Sequence, residues 1–300
     1  MKNSLAICGG GIRGIIPCSV LAALEKQTGK LTNQFFDYVS GTSTGALLAA
    51  GIAVGIPAQN LLEVYALQSD KIFTPSGVLG DAKQITKGYK FDPENLYKVL
   101  KIIFGSKASW VLNDCPIGVC INATAVNGHN WFFVKDKTTN AKTTGNIKLL
   151  DAAIASACAP TYFDCWPILI KGNRINFFDG GTGCLANPSY QACVEMFQYD
   201  SFRPEFTKLI TLGTGYYSSG NTPPNGLIAT IEWATDTLVD TSENWVDSAV
   251  QRQWPNLQQK FDWELPCAID MADTDAIQEL LSIGTQAATT IDWTKILCLN

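Results

Sequence analysis

The sequence predicts an α/β domain in which strands lie side by side and helices connect them. Two observations carry this reading. The first 55 residues hold two successive units in which a short apolar run meets glycine and passes into a helical pattern. Two later apolar runs, RINFFDGG (174–181) and KLITLGTG (208–215), also end in glycine. Strand, glycine turn and helix in repetition is the grammar of neighbouring strands joined by crossovers. The composition fits a well-buried globular chain: 300 residues, 46% hydrophobic and only 16% charged. That length allows one large domain or two small ones.

Residues 4–8 form the first expected strand, ending at the glycines. IIPCSVLAALEKQT (15–28) spaces its apolar residues as an amphipathic helix, with Gly29 as its stop. FDYVSG (36–41) reads as a second strand and STGALLAAGIAVG (43–55) as a buried helix. Residues 70–90, with Pro75 and several glycines, read as a loop. DPENLYKVLKIIFG (92–105) offers Asp92 as N-cap, Pro93 at the first helical position and Gly105 at the end. IGVCINATAV (117–126) and NWFFVKD (130–136) flank NGH as a hairpin. LLDAAIASACAP (149–160) reads as a helix stopped by Pro160, and YYSSGNTPPNG (216–226) is the best linker candidate. Beyond it the chain turns helical and holds five of the eight tryptophans. Residues 226–300 are expected to form a helical layer on the same core, or a lid, with those tryptophans in the core.

Several classes fall away. Net charge is −5 and no Lys/Arg run occurs, which argues against nucleic acid and polybasic docking onto anionic lipid but leaves a neutral or interfacial lipid substrate open. Ten cysteines are scattered without a C-x-x-C pair and there is one histidine, so zinc-finger spacing is absent. They read as reduced, mostly buried thiols of a cytoplasmic protein. MKNSLAIC is too short an apolar start for a signal peptide, and ALLAAGIAVGIP (46–57) is far short of a membrane span.

GTSTG (41–45) matches G-x-S-x-G where a predicted strand meets a predicted helix, the context a nucleophile elbow requires. Gly41 and Gly45 permit the sharp turn, and Ser43 projects from it at a helix N-terminus that favours developing negative charge. The plainer alternative is a glycine-rich turn with Ser43 as N-cap. An activated serine needs a base. His129 is the only histidine and lies in the NGHN turn, and none follows a later acid as the Ser–acid–His order demands. The base is therefore a carboxylate, a lysine, or nothing. Asp179 ends a predicted strand before Gly180 and Gly181, where α/β sheets place their sites. A water-poor pocket raises the basicity of such an acid. As a plain turn, DGG is an Asp cap.

Gly9, Gly11 and Gly14 satisfy G-x-G-x-x-G, the dinucleotide fingerprint. That motif also wants an acid at the far end of the second strand, which here ends in GTSTG; Asp37 sits at its start. Bare N–H groups at a helix start bind other anions equally well, an acyl-transfer oxyanion included. Arg13 adds a charge there or holds the loop.

In combination, GGGIRG (9–14), GTSTG (41–45) and DGG (179–181) resemble the patatin-like phospholipases in order and spacing. AAIASACAPTYF (152–163), ANPS (186–189) and LITLGTG (209–215) also look like that family. The resemblance runs over roughly 4–290; Cys8 departs from it, standing where many members carry an acidic or small residue. It implies a three-layer α/β/α sandwich around a mostly parallel sheet, with a Ser–Asp dyad. Carried over, Ser43 is the nucleophile, Asp179 the base, and the N–H groups of Gly9, Gly10 and Gly11 the oxyanion hole, with Arg13 and Gly14 completing the motif. The activity implied is hydrolysis of phospholipid or lysophospholipid esters, peripherally at a membrane, with no metal or organic cofactor. An alternative within the family is a membrane-degrading effector of bacterial anti-phage defence, activated by a cyclic nucleotide. A dinucleotide-binding module and a storage or scaffold protein with a vestigial dyad are the readings outside it.

Overall fold

The computed structural model describes residues 1–73, 88–136, 144–217 and 227–298. Five strands run parallel in the order β10 (Gln258–Phe261), β9 (Thr207–Leu212), β1 (Lys2–Ile7), β2 (Tyr38–Thr42) and β4 (Gly118–Ala125). β5 (Asn130–Val134) and β8 (Asn173–Asp179) pair antiparallel with β4, and β7 (Trp166–Ile170) pairs antiparallel with β8. A separate two-stranded sheet joins β3 (Tyr89–Phe91) to β6 (Thr161–Phe163).

Successive side chains of a strand point to opposite faces, and here both faces are apolar. Leu5, Ile7, Val39, Ile121, Ile210 and Leu212 share one core with α1 (Ile15–Thr28), α2 (Thr44–Ala53), α3 (Ala58–Ile72), α4 (Pro93–Phe104), α5 (Leu149–Ala157), α8 (Ile277–Thr289) and α9 (Trp293–Leu297). Ala6, Tyr38, Cys120 and Leu209 face a second core with α6 (Ser189–Val194) and α7 (Leu227–Gln253). The result is a three-layer α/β/α sandwich with a mostly parallel sheet.

The caps follow the residue types. Asp92 accepts the Glu94 N–H at 3.0 Å before Pro93 opens α4. Gly29 ends α1 at φ 68°, where its N–H returns to the Glu25 carbonyl. Two helical expectations change. The first two turns of α1 are buried nearly all round, because α1 packs against both α3 and α8 in the core. α3 follows Pro57 in a stretch to which the sequence reading assigned no element.

Residues 226–300 are not wholly helical. QQKF forms β10, an edge strand with a polar sequence, paired through its backbone to β9. The tryptophans there divide: Trp293 is buried, whereas Trp245 is 64% exposed. The expected loop at 70–90 lies for residues 74–87, and the expected linker for residues 218–226, outside the described residues. All ten cysteines are free thiols, six of them buried. Among the described residues no helix is long and apolar enough to cross a membrane.

Candidate active site

The site is built by two strands that meet end to end on a third. β2 runs parallel to β4 and ends with Thr42 opposite Asn122. β8 runs the other way along the same edge and ends with Asp179 opposite Ala123. The residue after Thr42 is Ser43, so opposite strand directions bring Ser43 and Asp179 together across 136 residues of sequence. Gly180 lies over this junction: a Cβ there would sit 2.5 Å from the Asn122 carbonyl oxygen.

Ser43 has φ 57° and ψ −126°, a conformation rare for a residue with a side chain. The strained turn throws the serine out from between β2 and α2, whose N-terminus begins at the next residue. Close packing explains the flanking glycines. A Cβ on Gly41 would run into the Gly45 carbonyl, and one on Gly45 into that of Ile7. The Ser43 N–H donates to Ser156 Oγ at 2.9 Å.

The glycine loop follows β1 at the point where the sheet order reverses, with β2 on one side and β9 on the other. Open α/β sheets place ligands at such a crevice. Gly9 packs against Ser43: a Cβ there would lie 3.2 Å from the Ser43 Cβ. Its N–H, however, donates to the Ala186 carbonyl at 2.9 Å. Of the three N–H groups expected to form an oxyanion hole, that of Gly9 is therefore already committed. Gly10 and Gly11 keep N–H groups without a hydrogen-bond acceptor among the described residues. Gly11 has φ 58° and borders the same cavity as Ser43. Gly14 packs on the start of α2, where a Cβ would collide with the Thr44 hydroxyl.

Arg13 acts on the loop itself. Its Nε donates to the Gly10 carbonyl at 3.2 Å and its Nη1 to the Gly215 carbonyl at 3.3 Å. Thr214 Oγ1 adds a bond to the Gly9 carbonyl at 2.7 Å. Behind this brace Asp262 accepts the Gly215 N–H, and Lys260 pairs with Asp247 at 2.8 Å, Asp262 at 3.5 Å and Glu243 at 3.7 Å. Residues 185–186 tie the motifs further: the Leu185 carbonyl accepts from Thr42 Oγ1 and the Leu185 N–H returns to Gly180.

Asp179 is 5% exposed and Ser43 8%. Burial pushes the Asp179 carboxyl up to about 6, against hydrogen bonding from the Ser43 side chain and the Gly181 N–H that holds it down. The Gly181 bond is 2.7 Å long. Beside Ser43 opens a narrow apolar cavity of about 50 Å³, walled by Leu47, Val64, Ile72, Phe73, Leu96 and Phe163. The Thr44 and Tyr65 hydroxyls bond to each other at its edge. An apolar pocket beside a few convergent polar groups is the usual form of a ligand site.

His129 is exposed in its hairpin turn and plays no part here. Asp37 pairs with Lys2 and accepts the Asn3 N–H, at the end of the sheet opposite the glycine loop. It cannot serve as the ribose acid of a dinucleotide site. The sequence reading missed Ser156 and Thr214 as partners of the site. Both stand inside quoted stretches, AAIASACAPTYF and LITLGTG, but a hydroxyl's distant acceptor or donor leaves no local pattern.

Fold and arrangement together have the layout of three-layer α/β/α proteins that set a serine beside an aspartate without a histidine. The patatin-like phospholipase family model matches residues 5–191, and the chain belongs to that family. It is 31% identical over 202 residues to a cGAMP-activated phospholipase of Escherichia coli, covering 65% of this chain and 55% of that one. To a cGAMP-activated phospholipase of Vibrio cholerae it is 30% identical over 236 residues, covering 71% and 65%. The chain thus spans about half to two thirds of the length of these relatives. The solved structure of VipD from Legionella pneumophila shares the fold, with a TM-score of 0.50 at 14% identity over 96% of this chain and 66% of that one.

Proposed function

We propose that this protein is a lipid acyl hydrolase that cleaves phospholipid or lysophospholipid esters through an acyl-serine intermediate. Ser43 Oγ attacks the ester carbonyl carbon while its proton passes to Asp179. The Gly10 and Gly11 N–H groups and the N-terminus of α2 stabilise the oxyanion. Collapse of the tetrahedral intermediate breaks the ester C–O bond, and the departing alcohol takes the proton back from Asp179. Water then attacks the acyl-enzyme, gives its proton to Asp179 and releases the fatty acid, with Ser43 reprotonated. The apolar cavity takes the acyl chain. No step calls for a metal or organic cofactor.

The observation that carries this reading is the meeting of β2 and β8 on β4, which sets a strained serine beside a buried acid next to that cavity. A carboxyl raised to about 6 is a far better proton acceptor than an ordinary aspartate. The test is fatty-acid release from phospholipid vesicles, followed by mass spectrometry. Wild type releases fatty acid and Ser43→Ala does not; equal release by both removes Ser43 from the chemistry.

A second reading concerns control. The relatives described as cGAMP-activated favour an enzyme switched on by a cyclic nucleotide, as a membrane-degrading effector of phage defence. Hydrolysis with and without cyclic dinucleotides decides it, and identical rates remove the idea.

A further inference from the structure

We infer that Ser156 is a positioning residue that sets the reactive geometry of Ser43. The inference rests on the serine-nucleophile reading above. The Ser156 side chain is fully buried at the last turn of α5, and its Oγ accepts the Ser43 N–H at 2.9 Å. Ser43 is a non-glycine residue at φ 57°, so its backbone holds that conformation only because its surroundings fix it. The bond to Ser156 reaches the strained residue's own amide, across 113 residues of sequence.

The C-terminal end of the same helix also holds the acid. The Asp179 N–H donates to the Cys158 carbonyl at 2.9 Å. Residues 156 and 158 therefore grip the backbones of both partners, one through a side chain and one through the main chain. Ser156 lies in the last turn of α5 and Cys158 is the capping residue that directly follows it, so this pair of bonds acts as a ruler between nucleophile and base. Gly41 and Gly45 permit the turn; Ser156 selects the one orientation in which Ser43 faces Asp179. Ser156 touches neither substrate nor the transferred proton in this scheme.

Three measurements on the full chain test it: labelling of Ser43 by a fluorophosphonate, amide hydrogen exchange of the segment around Ser43, and kinetics of ester hydrolysis. Misplacing a reacting group by about 1 Å costs up to roughly 10²-fold. Ser156→Ala, which removes one oxygen, is expected to slow labelling and kcat by about ten- to a hundredfold with KM unchanged. The Ser43 amide should exchange faster, having lost its acceptor. Ser156→Thr, which keeps the hydroxyl, restores all three. If Ser156→Ala does not fold, Ser156→Cys, with a weaker acceptor in the same place, is expected to be intermediate between wild type and a Ser43→Ala blank. Wild-type labelling and exchange in Ser156→Ala overturn the positioning role. A wild-type protein that never labels at Ser43 instead overturns the nucleophile reading, and the exchange measurement then decides the clamp alone.

Discussion

In the proposed mechanism Asp179 is the base, and the burial that fits it for that role has a cost that can be measured. Its carboxyl is raised from 3.8 to about 6 in the fold, so the folded protein prefers the protonated acid. The stability this gives is present in full below about pH 4 and is lost as pH rises through 6. At pH 8 the ionised group costs on the order of 3 kcal/mol relative to an unshifted carboxyl. Asp179→Asn is therefore expected to lose at least about 10³-fold in kcat while becoming more stable at pH 8, by up to roughly that amount. The gain should vanish near pH 4, as read by denaturant titration at both values. The proposed mechanism needs the opposite protonation state. In the wild type kcat/KM should rise with pH and level off above a midpoint near 6, and a profile flat from pH 5 to 8 would show that Asp179 is not the base. At this scale the sequence was informative. Ser43, Asp179 and the glycines, which the fold brings together, were readable as candidates because each belongs to a short motif with a steric reason. The commitment of the Gly9 N–H to Ala186 was not, because that acceptor lies 177 residues away.

The elements explain why the motif glycines are needed. Gly41 and Gly45 face each other across the elbow, and Gly45 also faces β1, with no room for a methyl group at either. Their obstacles are backbone carbonyls, which cannot rotate aside. Gly45→Ala is expected to destabilise the protein by roughly 3 kcal/mol or more, against under 1 kcal/mol for Ala at an open, exposed glycine. Urea unfolding measures it, and a variant as stable as wild type would mean that α2 and β1 can separate at no cost. The strand–turn–helix units up to residue 55, the capped α4 and the hairpin of β4 and β5 were legible, since periodicity and turn chemistry are local signals. β3, β6 and β10 were not. They are only three or four residues long, and tertiary pairing rather than side-chain alternation makes them strands. Opposite strand directions on one edge of β4 could not be read from the sequence either, and they are what unites Ser43 with Asp179.

Over the whole molecule, the second helical layer supports the site from behind. Glu243 and Asp247 on α7 reach Lys260 on β10, Asp262 just beyond it holds Gly215, and Arg13 joins Gly215 to the glycine loop. Lys260 is the cation on which three carboxylates converge. Burial pushes the Glu243 carboxyl up to about 7, and Lys260 draws it back down. Removing the lysine leaves buried negative charge without a partner. Lys260→Met is expected to cost about 3–5 kcal/mol, more at pH 8 than at pH 5, where Glu243 takes up a proton and relieves the repulsion. Equal losses at the two pH values would show that the network is not buried in solution. This support was invisible in the sequence, because its members are spread from residue 13 to residue 262 and each is unremarkable alone.

The central claim is that Ser43 becomes esterified during turnover. Rapid acid quenching of wild type mixed with a phospholipid, followed by proteolysis and mass spectrometry, tests it most directly. The account predicts that the peptide containing residues 41–45 gains the mass of one acyl chain within the first turnover, and that Ser43→Ala shows neither adduct nor released fatty acid. Fatty acid released at the wild-type rate by Ser43→Ala, or an acyl group found on another residue, would contradict it.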